Sequence, residues 1–471
     1  MNSWSAELVA EAAEARLIVA RPSPPGREPD LPGPSRVVID SREAGPGVLF
    51  VGLPGANVDG GAFAEQALAA GAWGVLGAPE HAEAASREPR LAAAGNAGAA
   101  AEAPGAFVLV AERPLESLQR LARAWRRDLG AKVIGVTGSS GKTSTKDLLV
   151  AVLARDRRAV ASRLNRNTEI GLPLEILAAP AGTEVLVLEM GMRGAGQIAE
   201  LAAIAEPDVA VVVNVGRAHL ELLGSVEAIA AAKAELIAAL PAHGTAIVPV
   251  DEPLLAPHLR EDVNTVTFGP GGDVQLVEAD GEQVWIDACG TPVWLQVPFT
   301  QAHLRLDLLA AVAAARAVGV SPRGRIEAVI SAGRGDRRQL PGGVTLIDDS
   351  YNANPVSMSA ALDDLAASAP DRRRVAVLGD MLELGPDATD FHLEIGCRAD
   401  RVGVGLLVTV GPLAAAMAPG FSREVHSVAD AGEAAVLVPA LLRDGDVVLV
   451  KGSRGVRLEA VCQALNATMA A

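Results

Sequence analysis

Apolar and polar positions alternate along the chain in a pattern that predicts strands and helices in turn. Apolar residues spaced three and four apart predict a helix through Leu115, Leu118 and Trp125. Short apolar runs predict buried strands at 37–39, 48–51, 73–76, 107–110 and 132–136, at 185–188 and 209–213, and at 344–347, 375–378, 406–410 and 447–450. This alternation predicts the α/β fold class with parallel sheets.

The same pattern divides the chain into three predicted domains. A helix closes at Leu129–Gly130, and a long helix from His303 to Val318 is followed by Ser321-Pro322. The predicted domains are therefore 1–129, 130–322 and 323–471, in agreement with 471 residues at roughly 150 residues per domain. Segment 263–297 is richer in strand-forming residues, and segment 79–105, rich in Ala, Gly and Glu, is interpreted as a solvated insertion.

Composition narrows the function classes. The formal net charge is −16, and 13 aromatic residues leave little surface for stacking bases, which argues against a nucleic-acid partner. No apolar stretch approaches the roughly 20 residues of a membrane span, and Met1 to Ile18 lacks the pattern of a signal peptide. Three scattered cysteines, Cys289, Cys397 and Cys462, indicate neither a zinc site nor a disulfide framework. We therefore expect a cytoplasmic protein without membrane insertion.

Lysine is rare in this chain, with five lysines against 36 arginines. An ammonium group acts as a compact point charge and can lose its proton, which a guanidinium cannot do. Each lysine is therefore a candidate for chemistry, although compositional bias is the alternative. The five are Lys132, Lys142, Lys146, Lys233 and Lys451.

A candidate phosphate loop, Thr-Gly-Ser-Ser-Gly-Lys-Thr-Ser, runs from Thr137 to Ser144 between a predicted strand and a predicted helix. Glycines let backbone amides face an anion, Lys142 can reach the terminal phosphates, and a hydroxyl can hold Mg²⁺. The standard phosphate-loop pattern is not met, because Val136 stands five residues before Gly141. An ordinary strand-turn-helix junction is the alternative.

Candidate metal ligands follow the next predicted strands. Glu189 ends one apolar strand, and Asn214 and His219 follow another. A carboxylate and a neutral imidazole at neighbouring strand ends could coordinate Mg²⁺ that bridges ATP phosphates, but solvated or structural roles remain open. Lys233 lies on an Ala-rich helix and is a candidate for chemistry; a surface lysine paired with Glu227 or Glu235 is the alternative.

With these residues in view, the chain resembles the Mur ligases over nearly its whole length. The shortened loop 137–144 resembles the ATP loop of that family. Asp348–Pro355, with the sequence Asp-Asp-Ser-Tyr-Asn-Ala-Asn-Pro, is the most specific match and resembles the members that attach D-alanyl-D-alanine. Supporting segments are 40–42, 50–60, 165–173, 379–385 with His392, and 451–454.

The resemblance implies a UDP-sugar-binding α/β domain, a central ATPase domain with a phosphate loop and a Rossmann-like C-terminal domain. It implies an ATP-dependent ligase that joins D-alanyl-D-alanine to UDP-N-acetylmuramoyl-tripeptide through an acyl phosphate, in peptidoglycan precursor synthesis. The implied cofactors are ATP and Mg²⁺, with a carbamate on Lys233 as a metal ligand, and the expected state is a monomer.

The resemblance also implies roles for individual residues. The implied catalytic residues are Lys142, His219 and Lys233, and the implied metal ligands are Thr143, Glu189, His219 and Lys233. The implied ATP-binding residues are Thr137, Gly138, Ser139, Ser140, Gly141, Lys142, Thr143, Ser144, Asp307, Asn352 and Asn354. The implied substrate-binding residues are Asp40, Ser41, Arg42, Asn165, Asn167, Asp380, Lys451, Ser453 and Arg454.

The sequence departs from the family in three places. Gly61 replaces a histidine, so no imidazole is expected at that turn. Leu304 and Asp307 replace two asparagines beside the adenine. The basic run 334–338 is longer than in relatives, and we expect its charges to contact phosphate or solvent.

Other functions stay open at this point. A sister ligase that adds a single amino acid and a folylpolyglutamate-type synthetase share the chemistry. A nucleotide-dependent switch or kinase with a phosphate loop but no ligase activity is the alternative of a different class, and it has no use for Lys233.

Overall fold

The structure is a computed structural model that describes residues 1, 3–21, 32–87, 106–163, 166–217 and 220–468. The chain packs into two compact units. The first comprises Met1–Gly135, Arg157–Met190 and Ala199–Asp208, and the second comprises Val136–Asp156, Gly191–Ile198 and Val209–Ala471. Three sheets with helices between their strands confirm the predicted α/β class.

The N-terminal sheet has five strands in the order β1-β5-β4-β3-β2. Strands β2 to β5 are parallel to one another, and β1 pairs with β5 in antiparallel orientation as an edge strand that the sequence pattern did not predict. Strands β3, β4 and β5 are buried along their whole length, as expected for parallel strands. The bounds are β1 Arg16–Arg21, β2 Arg36–Val38, β3 Val48–Val51, β4 Gly74–Gly77 and β5 Ala106–Val110.

The central sheet has ten strands in the order β15-β14-β13-β12-β11-β10-β9-β6-β8-β7. Its strands β12, β13 and β14 form an antiparallel meander, which confirms the strand-rich character predicted for 263–297. The bounds are β6 Lys132–Thr137, β7 Ala159–Ala161, β8 Val185–Glu189, β9 Val209–Val212, β10 Thr245–Pro249, β11 Asn264–Phe268, β12 Val274–Asp280, β13 Gln283–Ala288, β14 Thr291–Gln296 and β15 Gly324–Arg325.

The C-terminal sheet has six strands in the order β16-β17-β21-β18-β19-β20. Five of them are parallel, the four predicted strands and β20, which was not predicted, and β16 pairs with β17 in antiparallel orientation at the edge. Two arginines of the basic run lie on this edge strand: Arg337 bonds Asp364 at 2.6 Å and Arg338 bonds Asp336 at 2.8 Å. Charged side chains suit an edge strand because they oppose pairing with another chain. The bounds are β16 Asp336–Gln339, β17 Thr345–Asp349, β18 Arg374–Gly379, β19 Leu406–Val410, β20 Glu424–Val428 and β21 Val447–Lys451.

The helices follow the predicted pattern closely. The amphipathic helix from Pro114 begins with proline in its first turn and ends at Gly130, whose φ of 62° closes it in a left-handed cap. Part of the predicted insertion 79–105 is helical, and the rest, 88–105, lies outside the described residues. The bounds are α1 Ala6–Ala12, α2 Ala64–Ala69, α3 Pro79–Arg87, α4 Pro114–Leu129, α5 Lys142–Leu153, α6 Gly171–Ala178, α7 Gln197–Ala205, α8 Leu220–Leu223, α9 Val226–Ala238, α10 Ala302–Ala317, α11 Pro355–Ser368, α12 Ala388–Arg401, α13 Ala431–Leu441 and α14 Glu459–Thr468.

Within the described ranges, every helix is too short or too polar to cross a membrane.

Candidate functional site

The candidate phosphate loop lies where the sequence predicted it, between the end of β6 and the start of α5. Gly141 has a φ of +75°, and a Cβ there would lie 2.5 Å from Oδ1 of Asp307. Both the backbone conformation and the close approach of Asp307 therefore require glycine at this position.

Asn214, at the end of β9, holds the loop in shape. Its Oδ1 accepts hydrogen bonds at 3.0 Å from the backbone amides of Ser139 and Ser140, and its Nδ2 donates to Oγ of Ser140 at 3.0 Å. These two loop amides are therefore occupied by the protein itself. The start of α5 is the other candidate source of anion-binding donors, since the first amides of a helix have no acceptor within it.

Two side chains complete the loop. Nζ of Lys142 donates to the carbonyl oxygen of Gly138 at 2.7 Å, which holds its charge over the loop. The hydroxyl of Thr137 is buried and has no hydrogen-bond partner among the described residues. Ser139, Thr143 and Ser144 are also buried. A buried hydroxyl and an ammonium at a helix start are groups that suit a phosphate chain.

The turn after β17 reaches the phosphate loop within the second unit. Asn354 begins α11 with a capping box: its side chain accepts from the amide of Ser357 at 2.9 Å. Its Nδ2 donates to the carbonyl oxygen of Ser139 at 3.1 Å. Asn352 has a local role, since its Oδ1 accepts from the amide of Ala353. Asn354 therefore fixes the loop relative to the start of α11.

Lys233 lies in the middle of α9 and is 1% exposed, so the interpretation as a surface lysine is wrong. Glu235 instead accepts a hydrogen bond from the amide of Gly196 at 2.6 Å. Burial lowers the pKa of the Lys233 amine well below its usual value, and the charge of Lys142 lowers that pKa further. This environment favours the neutral amine, the form that can react with carbon dioxide.

Glu189 ends β8 in the first unit and is buried. Nδ2 of Asn167 donates to its Oε1 at 2.8 Å, which orients the carboxylate. Asn167 was expected to bind substrate, and in the structure it contacts this candidate metal ligand. Asn165 and His219 lie outside the described residues.

The donor set fits Mg²⁺, which prefers oxygen ligands and takes only one or two carboxylates from the protein when phosphates supply the rest. In the second unit, Thr143 offers a hydroxyl and the neutral amine of Lys233 suits a carbamate, which would supply a further oxygen. In the first unit, Glu189 offers an oriented carboxylate. Among the described residues, no three His, Cys, Asp or Glu side chains gather as a metal-binding group. These residue types therefore suit an ion that takes most of its ligands from phosphate rather than from protein side chains.

Asp307 is buried on α10 beside the phosphate loop. Burial raises the pKa of its carboxyl well above the usual value, and the positive charge of Arg334 only partly opposes this. The guanidinium of Arg334 lies over the ring of Tyr351 at 4.3 Å, and that of Arg454 lies 5.4 Å from the same ring. The first arginine of the basic run thus belongs to the site rather than to the edge strand.

The remaining C-terminal candidates are held by the protein. Lys451 is buried; its Nζ donates to Oδ2 of Asp349 at 2.7 Å and to the carbonyl oxygen of Asn352 at 3.0 Å. Oγ of Ser453 donates to the carbonyl oxygen of Ala353. Asp380 is also buried and accepts from the amide of Ala414 at 2.6 Å. These contacts build the turns around residues 349–354 and 380.

The N-terminal candidates form a capped turn after β2. Oδ1 of Asp40 accepts from the amide of Arg42 at 3.0 Å, and its Oδ2 accepts from Nη2 of the same arginine at 2.5 Å. These bonds lower the pKa of Asp40 to about 2. Ser41 is the first residue of the short helical turn that Asp40 caps, and the side chain of Arg42 is 85% exposed. The guanidinium is therefore oriented and accessible.

Comparison with known proteins decides the family. Three family models match: the Mur ligase family catalytic domain at 35–124, the Mur ligase middle domain at 136–315 and the Mur ligase glutamate ligase domain at 333–454. The UDP-N-acetylmuramoyl-tripeptide–D-alanyl-D-alanine ligase of Bacillus subtilis is 35% identical over 443 residues, which cover 91% of this chain and 92% of the relative. The chain belongs to the Mur ligase family.

Other relatives and solved structures agree. The ligase of the same name from Mycobacterium bovis is 40% identical over 477 residues and 92% of both chains. A MurF structure from Acinetobacter baumannii has a TM-score of 0.82, with 28% identity over 98% of this chain and 99% of that one. MurF from Thermotoga maritima in complex with ADP has a TM-score of 0.78, with 30% identity over 92% of this chain and 98% of that one. This Mur ligase therefore has the family's three domains.

Sequence reasoning missed several side-chain contacts in this Mur ligase. Arg334 and Asp349 stand in segments that the sequence analysis named, 334–338 and 348–355, but no local spacing predicts their contacts with Tyr351 and Lys451. The expectation that no imidazole lies at the turn of Gly61 was wrong. The ring of His81, from the next strand-helix connection, lies against that turn. The sequence did contain a signal for this contact: the pair Gly60-Gly61, followed by a histidine, His81, just after the next strand.

Proposed function

We propose that this Mur ligase joins D-alanyl-D-alanine to UDP-N-acetylmuramoyl-tripeptide at the expense of ATP. The observation that carries the proposal is the phosphate loop, where Lys142 lies over the turn while Asn214 and Asn354 fix it from two other elements. The relatives that are 35% and 40% identical over nine tenths of the chain carry this activity in their names.

The chemistry follows from this arrangement. The terminal carboxylate of the tripeptide attacks the γ-phosphorus of ATP, ADP leaves, and an acyl phosphate forms. The amine of D-alanyl-D-alanine then attacks the acyl carbon, phosphate leaves, and an amide bond remains after the nitrogen loses its proton. Lys142 and the first amides of α5 neutralise the negative charge on the transferred phosphoryl group. Thr137, Gly138, Ser140, Gly141 and Ser144 shape the loop that positions it.

We propose Mg²⁺ as the cofactor, held by Thr143, Glu189, His219 and a carbamate on Lys233. Bound there, the ion would neutralise phosphate charge. The buried amine of Lys233 favours the neutral form that a carbamate requires, and Asn167 orients Glu189. Asp307 and Asn352 are proposed to face the nucleotide base, where a protonated Asp307 could donate or accept as the asparagines of relatives do.

We also propose the substrate sites and the domain boundaries. Asp40, Ser41 and Arg42 bind the UDP moiety, and Asn165, Asp380, Lys451, Ser453 and Arg454 surround the peptide substrates. The boundaries 1–129, 130–322 and 323–471 each enclose one of the three matched ranges, which supports them. We expect a cytoplasmic location, because both ATP and the UDP-linked precursor are cytoplasmic metabolites. We also expect a monomer.

Mass spectrometry of the product tests the function. With ATP, UDP-N-acetylmuramoyl-tripeptide and D-alanyl-D-alanine, we expect a UDP-N-acetylmuramoyl-pentapeptide. Replacing the dipeptide with D-alanine, D-glutamate or L-lysine tests the sister ligases, and replacing the tripeptide with a folate tests the folylpolyglutamate-type synthetases. A product formed only with a single amino acid would overturn the proposal.

A further inference from the structure

The N-terminal sheet brings a histidine to the same edge as the candidate UDP site. Strands β2, β3 and β4 are parallel neighbours, so their carboxyl ends meet at one edge of the sheet. Asp40–Arg42 follows β2, the turn Asp59–Gly61 lies in the connection after β3, and His81 lies in the first turn of α3, just after β4. Ligands of open α/β sheets bind at this edge.

The ring of His81 occupies the space that a side chain at position 61 would fill. A Cβ on Gly61 would lie 2.3 Å from Cδ2 and 2.9 Å from Cγ of that ring. The φ of Gly61 lies outside the left-handed region, so the backbone itself would accept another residue there. The histidine ring therefore makes glycine necessary, and the two positions form one interlocking unit.

Asp59 holds the ring of His81 in the same way as Asp40 holds the guanidinium of Arg42. Its Oδ1 accepts from the amide of Gly61 at 2.9 Å, and its Oδ2 bonds Nε2 of His81 at 2.7 Å. In both turns one carboxylate oxygen caps the backbone and the other holds a basic side chain. The same arrangement thus presents two basic groups at one edge of the sheet, after β2 and β4, the strands on either side of β3.

We propose that His81 is a binding residue for the diphosphate of the UDP-linked substrate. This inference rests on the proposed function. Asp59 engages Nε2 of the ring, so the other ring nitrogen, Nδ1, is left to face a ligand, and an imidazolium ring can donate a charge-assisted hydrogen bond from Nδ1 to a phosphate oxygen. The side chain of His81 is 26% exposed, so a ligand can reach it. Arg42 supplies the second cationic donor at this edge.

Isothermal titration of the full chain with UDP-N-acetylmuramoyl-tripeptide tests the proposal. We expect His81→Ala and His81→Gln to weaken binding about tenfold, the effect of losing one charge-assisted hydrogen bond. In turnover assays both variants should raise KM for that substrate while kcat and KM for ATP stay unchanged. His426→Ala is the matched control, because His426 forms a similar exposed pair with Glu424 on β20 and should bind like the wild type.

A relocation variant keeps the test independent of folding defects. Gly61→His alone should bind poorly, because its side chain collides with the ring of His81. Gly61→His combined with His81→Ala should restore affinity to within about threefold of the wild type, since an imidazole again lies in the same space. Wild-type affinity in both single His81 variants would overturn the inference and leave the proposed function intact. A wild-type chain that binds no UDP-linked tripeptide would overturn the proposed function itself.

Discussion

The phosphate loop and the N-terminal turns place positive charge in opposite ways. Around the loop, Lys233 is buried, and the charge that acts on its amine is another ammonium, that of Lys142. At the N-terminal turns, Arg42 and His81 are accessible, and each is held by an aspartate. A buried amine near a cation tends to lose its proton, whereas the carboxylate of Asp40 raises the pKa of Arg42, and Asp59 orients the ring of His81. The first arrangement suits chemistry and the second suits recognition.

Replacing Lys142 tests the chemical side of this comparison most severely. We expect Lys142→Ala to lower kcat about 1000-fold, because the variant loses a cation aimed at the transferred phosphoryl group. Phosphate release under saturating substrates is the measurement. Lys132→Ala is the control, since Lys132 is exposed and paired with Asp208 at 2.8 Å, and should keep full activity. Similar activity in the two variants would contradict the assigned role.

Replacing Lys233 tests whether the buried amine carries a carbamate. Lys233→Ala should lower kcat about 100-fold, as expected when a metal ligand is lost. Acetate or formate should recover part of that activity by supplying a carboxylate in the space left behind. ¹³C-bicarbonate should give a carbamate NMR signal in the wild type and not in the variant. If the wild type gives no carbamate signal, or if short carboxylates do not restore activity to the variant, the role of Lys233 is purely structural.

Replacing Arg42 tests the recognition side. Arg42→Ala should weaken binding of UDP-N-acetylmuramoyl-tripeptide about tenfold and leave ATP binding unchanged. Arg36→Ala is the control, because Arg36 is also exposed and bonds Glu43 at 2.7 Å. Titration calorimetry measures both. An equal loss of affinity in both variants would indicate general electrostatics rather than a specific contact.

Replacing Asp307 should have the smallest effect, on stability. In the folded state the pKa of the Asp307 carboxyl is raised. As the pH rises above the usual value of 3.8, this carboxyl therefore ionises first in the unfolded chain, and the folded state loses stability until the pH reaches the folded pKa. Asp307→Asn removes this cost and should raise the melting temperature by about 2–4 °C at pH 7 but not near pH 3.5. Asp262→Asn, whose carboxylate Arg260 stabilises in the charged form, should not raise it. A melting gain for Asp307→Asn that is independent of pH would contradict this explanation.

Periodicity and local motifs predicted most of the fold. Buried parallel strands such as β6, β9 and β21 are continuous apolar runs, and the loop motif around Gly141-Lys142 predicted the junction between β6 and α5. The antiparallel edges β1 and β16 escaped prediction because their sequences are polar or flanked by arginines. Edge strands bury little surface, so their hydrophobic signal is weak.

The site was harder to predict where partners are distant in sequence. The burial of Lys233 follows from packing around α9, which a sequence of alanines around one lysine does not specify. Asn354 was expected to face nucleotide, and its amide is used to cap α11 and to hold Ser139. His81 contacts a turn about 20 residues earlier only because β3 and β4 are neighbours. Sequence motifs identified the functional segments, and the fold determined which side chains meet.

Phosphate release in omission assays tests the central claim most directly. The account predicts that sustained release from ATP requires both UDP-N-acetylmuramoyl-tripeptide and D-alanyl-D-alanine, with one phosphate formed for each pentapeptide. Sustained release without the dipeptide, at the rate of the complete mixture, would contradict it.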